Sequence, residues 1–270
     1  MKINLSCPDC LEEQRSHESS SNPPDPINTR RRMTLYPTDL TNEGIYIVRC
    51  DLGHSSAIAI TLMNHEILFE TGVFSILDGY YREAITSFAA SLERFFEFAI
   101  RAIALAHECP HMVESKCWAE IASQSERQLG AYIYLYSIHF KEKPQLLSKK
   151  MIELRNSAVH KGNIPPLDKA MSFGEEVLSI VSNGSEQILK YIPGAAHQVA
   201  LDKSKQSLDK AIAAGSSYSG GTQQIDSAIR MKRSLEEHLK IMKRSHSRNS
   251  LDRHLKIIEE LDRQDQGAGL

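Results

Sequence analysis

The spacing of apolar positions changes character near residue 71. Before it, in "GIYIVRCDLGHSSAIAITLMNHEILFE", Ile45, Ile47, Ile58, Ile60 and Leu62 alternate with other residues in short β-branched runs. Such alternation, interrupted at Asp51 to Ser55, predicts a strand, a turn and a returning strand, with a third short strand over Glu66 to Phe69. From Gly72 the step lengthens to three and four: Leu77, Tyr81, Ile85, Phe88, Leu92, Phe96, Ala99 and Ile103 fall on one helical face. This predicts a long amphipathic helix with a break at Asp78-Gly79.

Further helices are predicted over "KCWAEIASQSERQLGAYIYLYSIHF", over "PQLLSKKMIELRNSAVHKG" with Pro144 near its start and Gly162 at its end, over "LDKAMSFGEEVLSIVSNGSEQILKYI" with a kink near Asn183-Gly184, and over Leu201 to Ala214. "RSHESSSNPPDPINTRRR" is too polar to bury a core and reads as a loop. "GSSYSGG" reads as a flexible linker, followed by helical stretches from Gln224 to Lys243 and Ser250 to Gln264. The expected fold class is mainly α. A small β module (residues 1–71) precedes a helical bundle (72–214), and a linker with a basic helical tail (215–270) follows.

Composition narrows the function classes. The 270 residues are 41% hydrophobic and 24% charged, which is globular. A net charge of -2 argues against a wholly basic nucleic-acid binder. No apolar run approaches membrane-spanning length, and the polar start from Asn4 lacks the apolar core of a signal peptide. A cytoplasmic location is expected, with no membrane partner.

In a reducing compartment, cysteines read as metal ligands before they read as disulfides. Cys7 and Cys10 form a Cys-x-x-Cys pair, and Cys50 is followed by His54 at the predicted turn. Two such pairs close the tetrahedron that structural zinc requires, and a loop-rich segment gains its fold from the metal. His17 is an alternative to His54; the latter is preferred because its turn pairs with Cys50 directly. Four protein ligands leave no open position for catalysis. His107, Cys109, His111 and Cys117 lack a confident fourth ligand, and their spacing reads as coincidence.

"LRNSAVHKG" places polar residues at one helix end. Asn156 and His160 are four apart and share a face. Arg155 lies about 140° around the axis from His160, within reach of a long side chain. His160 sits at the negative end of the helix dipole, which favours its protonated form. The three residue types fit phosphodiester chemistry without a metal. Histidine moves a ribose 2′-hydroxyl proton, arginine offsets phosphate charge, and asparagine orients either. That restricts the substrate to RNA. The same residues also describe an ordinary solvated helix cap.

"RNSAVHKG" resembles the signature of the HEPN superfamily, an arginine and a histidine separated by four to six residues, the first of which is polar. Here these are Arg155, Asn156 and His160. "GYYREAITSFAASLERFFEF" is similar to the family's early helices, including an acidic residue at Glu93. The resemblance spans roughly Phe74 to Ile192 and leaves out the β module and the tail. It implies an all-α bundle, an endoribonuclease acting in antiviral defence or as a toxin, and a homodimer in which Arg155 and His160 of both copies build one site. An antitoxin or regulatory partner is also implied, with no cofactor for catalysis.

Glu93 is placed to pair with Arg155 or to stand solvated. Trp118, Tyr132, Tyr134 and Tyr136 read as core or interface aromatics rather than base-stacking platforms. The tail, locally basic but interrupted by Glu236, Glu237 and Asp252, fits either RNA phosphates or oligomerisation. The rival to the nuclease is a non-catalytic helical module that senses a nucleotide, nucleic acid or partner protein. A third reading is a regulatory subunit whose zinc module docks a separate enzyme.

Overall fold

A computed structural model describes residues 2–18, 35–40, 44–60, 62–109, 116–213, 221–223 and 227–243. It is mainly helical with a small β region. Its strands are β1 (Lys2–Ser6), β2 (Leu35–Asp39), β3 (Ile45–Arg49), β4 (Ser55–Ile60) and β5 (Gly221–Gln223). Its helices are α1 (Pro8–Glu18), α2 (Asn64–Leu77), α3 (Tyr81–Ala106), α4 (Lys116–Ala122), α5 (Ser125–Phe140), α6 (Lys149–His160), α7 (Leu167–Tyr191), α8 (Pro193–Ala213), α9 (Ala228–Met231) and α10 (residues 235–243). The chain divides into two compact units, each assembled from segments remote in sequence. Unit 1 holds Met1–Asn64, Arg94–Pro144 and Ser185–Asp226; unit 2 holds His65–Glu93, Gln145–Gly184 and Ser227–Leu270. The expected cuts at residues 71 and 214 follow the chain, whereas these units do not.

In unit 1, β1 and β2 pair antiparallel, with Lys2 opposite Asp39 and Ser6 opposite Leu35. β3 and β4 form the expected hairpin, Ile45 opposite Ala59 and Arg49 opposite Ser55. Gly53 takes φ +88°, a left-handed turn position that glycine adopts without a Cβ penalty. β5 adds to β4 in parallel, Ile58 opposite Gly221. The alternation in β3 is present, but Tyr46 and Val48 form its buried face and Ile47 is 46% exposed. Residues two apart share a face. The face of Tyr46 and Val48 is therefore also that of Cys50, which is buried. The C-terminal half of α3 packs its aromatics on α5: Phe96 stacks on Tyr132 at 4.5 Å and Phe95 meets it edge-on at 5.9 Å. Tyr132 and Tyr136 share the buried face of α5, while Tyr134, two residues from each, is exposed. Trp118 lies under the Arg101 guanidinium at 4.9 Å.

Unit 2 is built around α2, and here one expectation fails. Glu66 to Phe69 is not a strand but part of α2, whose buried positions His65, Glu66, Phe69, Glu70, Val73 and Ile76 follow helical spacing. Two of those positions are carboxylates, so the stripe does not register as hydrophobic. The expected break at Asp78-Gly79 is present. Gly79, at φ +82°, donates to Ile76 O at 3.1 Å, and Tyr80 N donates to Ser75 O at 2.8 Å, the paired bonds of a left-handed helix ending.

Inside the unit, Phe69 packs on Phe88 at 4.8 Å. A Cβ on Gly72 would come within 2.5 Å of the Phe88 ring, and one on Gly174 within 2.8 Å of the same ring and 2.6 Å of Leu235. The two buried acids are fully engaged. Glu70 accepts from Ala228 N at 2.9 Å and from His238 Nε2 at 2.7 Å, with exposures of 1% for Glu70 and 0% for His238. Glu66 accepts two bonds from the Arg230 guanidinium, from Nε at 2.5 Å and from Nη2 at 2.8 Å.

Other expected elements differ in detail. The helix expected from Lys116 to Phe140 is two, α4 and α5, parted at Ser123-Gln124, where Gln124 is extended. The helix expected over Gln224 to Lys243 is interrupted: Lys232 is left-handed at φ +49°, and a capping box restarts the chain as α10. In that box Glu237 N donates to Ser234 Oγ at 3.2 Å and Ser234 N donates to Glu237 Oε2 at 3.2 Å. α7 is helical throughout Asn183-Gly184. The loop expected from Arg15 is helical over its first four residues, which close α1; the rest of it, most of the "GSSYSGG" linker and the expected helix Ser250 to Gln264 lie outside the described residues. No helix among the described residues is long and apolar enough to cross a membrane.

Breaking a buried charged hydrogen bond by removing one partner costs roughly 3–5 kcal/mol. Glu70→Ala is therefore expected to lower unfolding stability by about that amount, read from chemical denaturation with an unchanged slope in denaturant.

Candidate metal centre and the Arg-Asn-His helix end

Cys7, Cys10, Cys50 and His54 come together in unit 1, their ligand atoms all within 4.8 Å of one another. They are the one such His/Cys/Asp/Glu group among the described residues. Cys7 directly follows β1, Cys10 lies in the first turn of α1, and the β3–β4 turn brings Cys50 and His54 together. That turn is closed by Cys50 N donating to His54 O at 3.1 Å and Gly53 N donating to Cys50 O at 3.0 Å. The second half of the Cys-x-x-Cys pair is thus helical. All three cysteines are buried and none is in a disulfide.

The spacing can be tested against a tetrahedral ion. Metal–sulfur bonds of about 2.3 Å and metal–nitrogen bonds of about 2.0 Å place sulfurs about 3.8 Å apart and sulfur and nitrogen about 3.5 Å apart. Cys10 Sγ to Cys50 Sγ is 3.7 Å; His54 Nδ1 is 3.4 Å from Cys10 Sγ and 3.8 Å from Cys7 Sγ. The group can bind a metal ion. Burial, reinforced by the Cys7 and Cys50 thiols, pushes the Cys10 thiol well up. Burial also acts upward on Cys50, but backbone hydrogen bonds from His54 and Leu52 and the neighbouring thiols outweigh it, and its net shift is down.

Three residues not anticipated from sequence surround the cluster. Ser56 Oγ donates to Asp9 Oδ2 at 2.6 Å and lies 3.4 Å from Cys7 Sγ. Glu13 Oε1 lies 3.4 Å from His54 Nε2, the ring nitrogen facing away from the thiols. Asp9 and Glu13 are four apart on α1, a spacing that a helical reading of "CPDCLEE" would have exposed. The side chain of His17, the alternative ligand, lies outside the described residues. Of the other candidates, Cys109 and Cys117 are exposed, His107 contacts His139 (Nε2 to Nδ1, 3.0 Å), and His111 is outside the described residues.

In unit 2, α6 carries Arg155, Asn156 and His160. Its N-cap is Ser148, whose hydroxyl donates to Glu176 Oε2 at 3.1 Å and whose amide bonds Glu176 Oε1. That carboxylate offsets the two lysines, Lys149 and Lys150, that occupy the positive end of the helix dipole. At the other end Arg82 Nε donates to Ala158 O at 3.0 Å, satisfying a carbonyl of the last turn, and Gly162 at φ +71° ends the element. Nothing in the spacing around Arg82 signals this, because its acceptor is a main-chain carbonyl 76 residues on.

Met151, Arg155 and Ala158 form the inward stripe of α6; Ile152, Asn156 and His160 form a second stripe ending in solvent. Arg155 Nη2 donates to Glu93 Oε1 at 3.1 Å and Nη1 donates to Asn156 Oδ1 at 3.0 Å. The Arg155 and Glu93 side chains are 24% and 30% exposed. His160 is exposed, and among the described residues its ring has no hydrogen-bond or ion-pair partner. The structure therefore joins Arg155 to Asn156 and Glu93 but does not join His160 to either. The helix end offers a cation held by a carboxylate and an amide, and an imidazole open to solvent. No family model, curated protein or solved structure matches the chain.

Proposed function

We propose that the chain is a metal-independent endoribonuclease of the HEPN type, acting as a defence or toxin-type effector. What supports this is the α6 end, where Arg155 is held by Glu93 and Asn156 while His160 stays open to a ligand. In the proposed reaction an imidazole removes the proton of the ribose 2′-hydroxyl. The oxygen attacks the neighbouring phosphorus, the bond to the 5′-oxygen breaks, and that oxygen takes up a proton. The products are a 2′,3′-cyclic phosphate and a 5′-hydroxyl. Arg155 offsets charge on the phosphate oxygens. One imidazole cannot be base and acid in the same step, so two copies of His160, one from each subunit of a homodimer, divide the work.

The second reading, a non-catalytic helical module for nucleotide, nucleic acid or partner protein, draws on the Glu93–Arg155 ion pair itself. An arginine already paired with a carboxylate 62 residues away serves a structural purpose without any substrate. The two readings separate on purified protein. His160→Ala is expected to slow cleavage of a mixed-sequence RNA about 10²–10⁴-fold without lowering stability. Wild-type cleavage should persist in EDTA and yield cyclic-phosphate ends. Absence of cleavage by the wild-type dimer selects the second reading.

We propose also that the metal of the Cys7, Cys10, Cys50 and His54 centre is zinc in a structural role. Three thiolates and one imidazole are its preferred donors, and four protein ligands close the coordination sphere. Elemental analysis is expected to find one zinc per chain, and Cys50→Ser to reduce it to a small fraction. Retention of zinc in that variant would remove Cys50 from the ligand set.

A further inference from the structure

We propose that Glu13 is the positioning residue of the metal centre, its carboxylate fixing the His54 ring so that Nδ1 is presented to the metal. This rests on the zinc assignment above. The ring is placed between two sets of partners. Its Nδ1 lies 3.4 Å from Cys10 Sγ and 3.8 Å from Cys7 Sγ, and its Nε2 lies 3.4 Å from Glu13 Oε1. A neutral imidazole bound through Nδ1 keeps its single proton on Nε2, and that nitrogen is the one facing the carboxylate.

The source of Glu13 strengthens the assignment. It stands three residues after Cys10 on α1, so the helix that supplies a sulfur ligand also supplies the group that orients the nitrogen ligand. Four residues earlier on the same helix, Asp9 accepts from Ser56, whose oxygen in turn lies 3.4 Å from Cys7 Sγ. α1 thus carries a carboxylate behind each of two ligands. The His54 and Glu13 side chains are 27% and 44% exposed, so solvent screens their direct attraction. The contribution of Glu13 lies in ring orientation and ligand basicity, which act on metal affinity.

The test uses the full chain and zinc itself, in competition with a chromophoric chelator, for the wild type, Glu13→Ala, Glu13→Gln and Glu12→Ala. Loss of an outer partner of a metal-bound histidine typically costs about 10–100-fold in affinity. Glu13→Ala should show a loss in that range. Glu13→Gln, which keeps a carbonyl acceptor, should show a smaller one, and the exposed neighbour variant Glu12→Ala none. Long-range proton–nitrogen spectra of the zinc-loaded wild type should place the His54 proton on Nε2, and Co(II) bands should shift in Glu13→Ala. A merely structural role for Glu13 would lower stability with and without metal alike and leave those bands unmoved. If the wild type binds zinc and Glu13→Ala binds it equally tightly with unchanged bands, the inference is overturned while the zinc centre stands. If the wild type binds no zinc, both fall together.

Discussion

A carboxylate sealed from water must find its partners inside the fold, and Glu70 is such a group. With 1% exposure it has no recourse to solvent, and its two oxygens are met by an amide of α9 and an imidazole of α10. Burying an ionised acid without such partners is prohibitive, so the position of α2 in unit 2 and the placement of residues 228–243 are one decision rather than two. Glu66 repeats the arrangement with Arg230 one helical turn away. Leu235 N, donating to Glu175 Oε1 at 2.8 Å, ties α10 to α7 by the same device. Unit 2 is thus specified by polar pairing as much as by its apolar core.

Unit 1 depends on a different constraint. Among the described side chains of α1, Cys10 is the one that is buried. Ordering a helix of 11 residues costs on the order of 1–2 kcal/mol per residue in backbone entropy, and so little apolar burial offsets only a fraction of that. The ligand cluster is what the helix is organised around. The same cluster accounts for the register of β3, since Cys50 must face inward and a strand's inward positions repeat every two residues. Ile47 is exposed for that reason, although its side chain is the more apolar choice for burial than that of Tyr46.

How far all this could be read in advance varied with the kind of force at work. The four cluster residues were legible because thiols and an imidazole at turn spacing have few other uses. The β3–β4 hairpin and the long α3 were legible because alternation and the 3.6-residue stripe are carried by apolar side chains. Glu66 to Phe69, in the first half of α2, reads as a strand because the helix's inward stripe contains Glu66 and Glu70, whose partners lie more than 150 residues downstream. β5 is three residues, "GTQ", with no hydrophobic signal; it exists by pairing with β4. The Glu93–Arg155 contact is one of two alternatives the sequence leaves open, because charge alone does not distinguish a paired glutamate from a solvated one. Separation of His160 from Arg155 follows from the offset of about 140° that five helical steps impose.

The ring of Phe88 sits where two chain segments approach without side chains, at Gly72 and Gly174. Three positions therefore share a single volume, and none can change size independently of the others. A relative of this protein that carries alanine or serine at 72 should carry a smaller residue at 88, such as leucine or valine; at 174, Leu235 would have to give way as well. Substitutions at the three sites should combine non-additively, the enlargement tolerated only in company with the reduction.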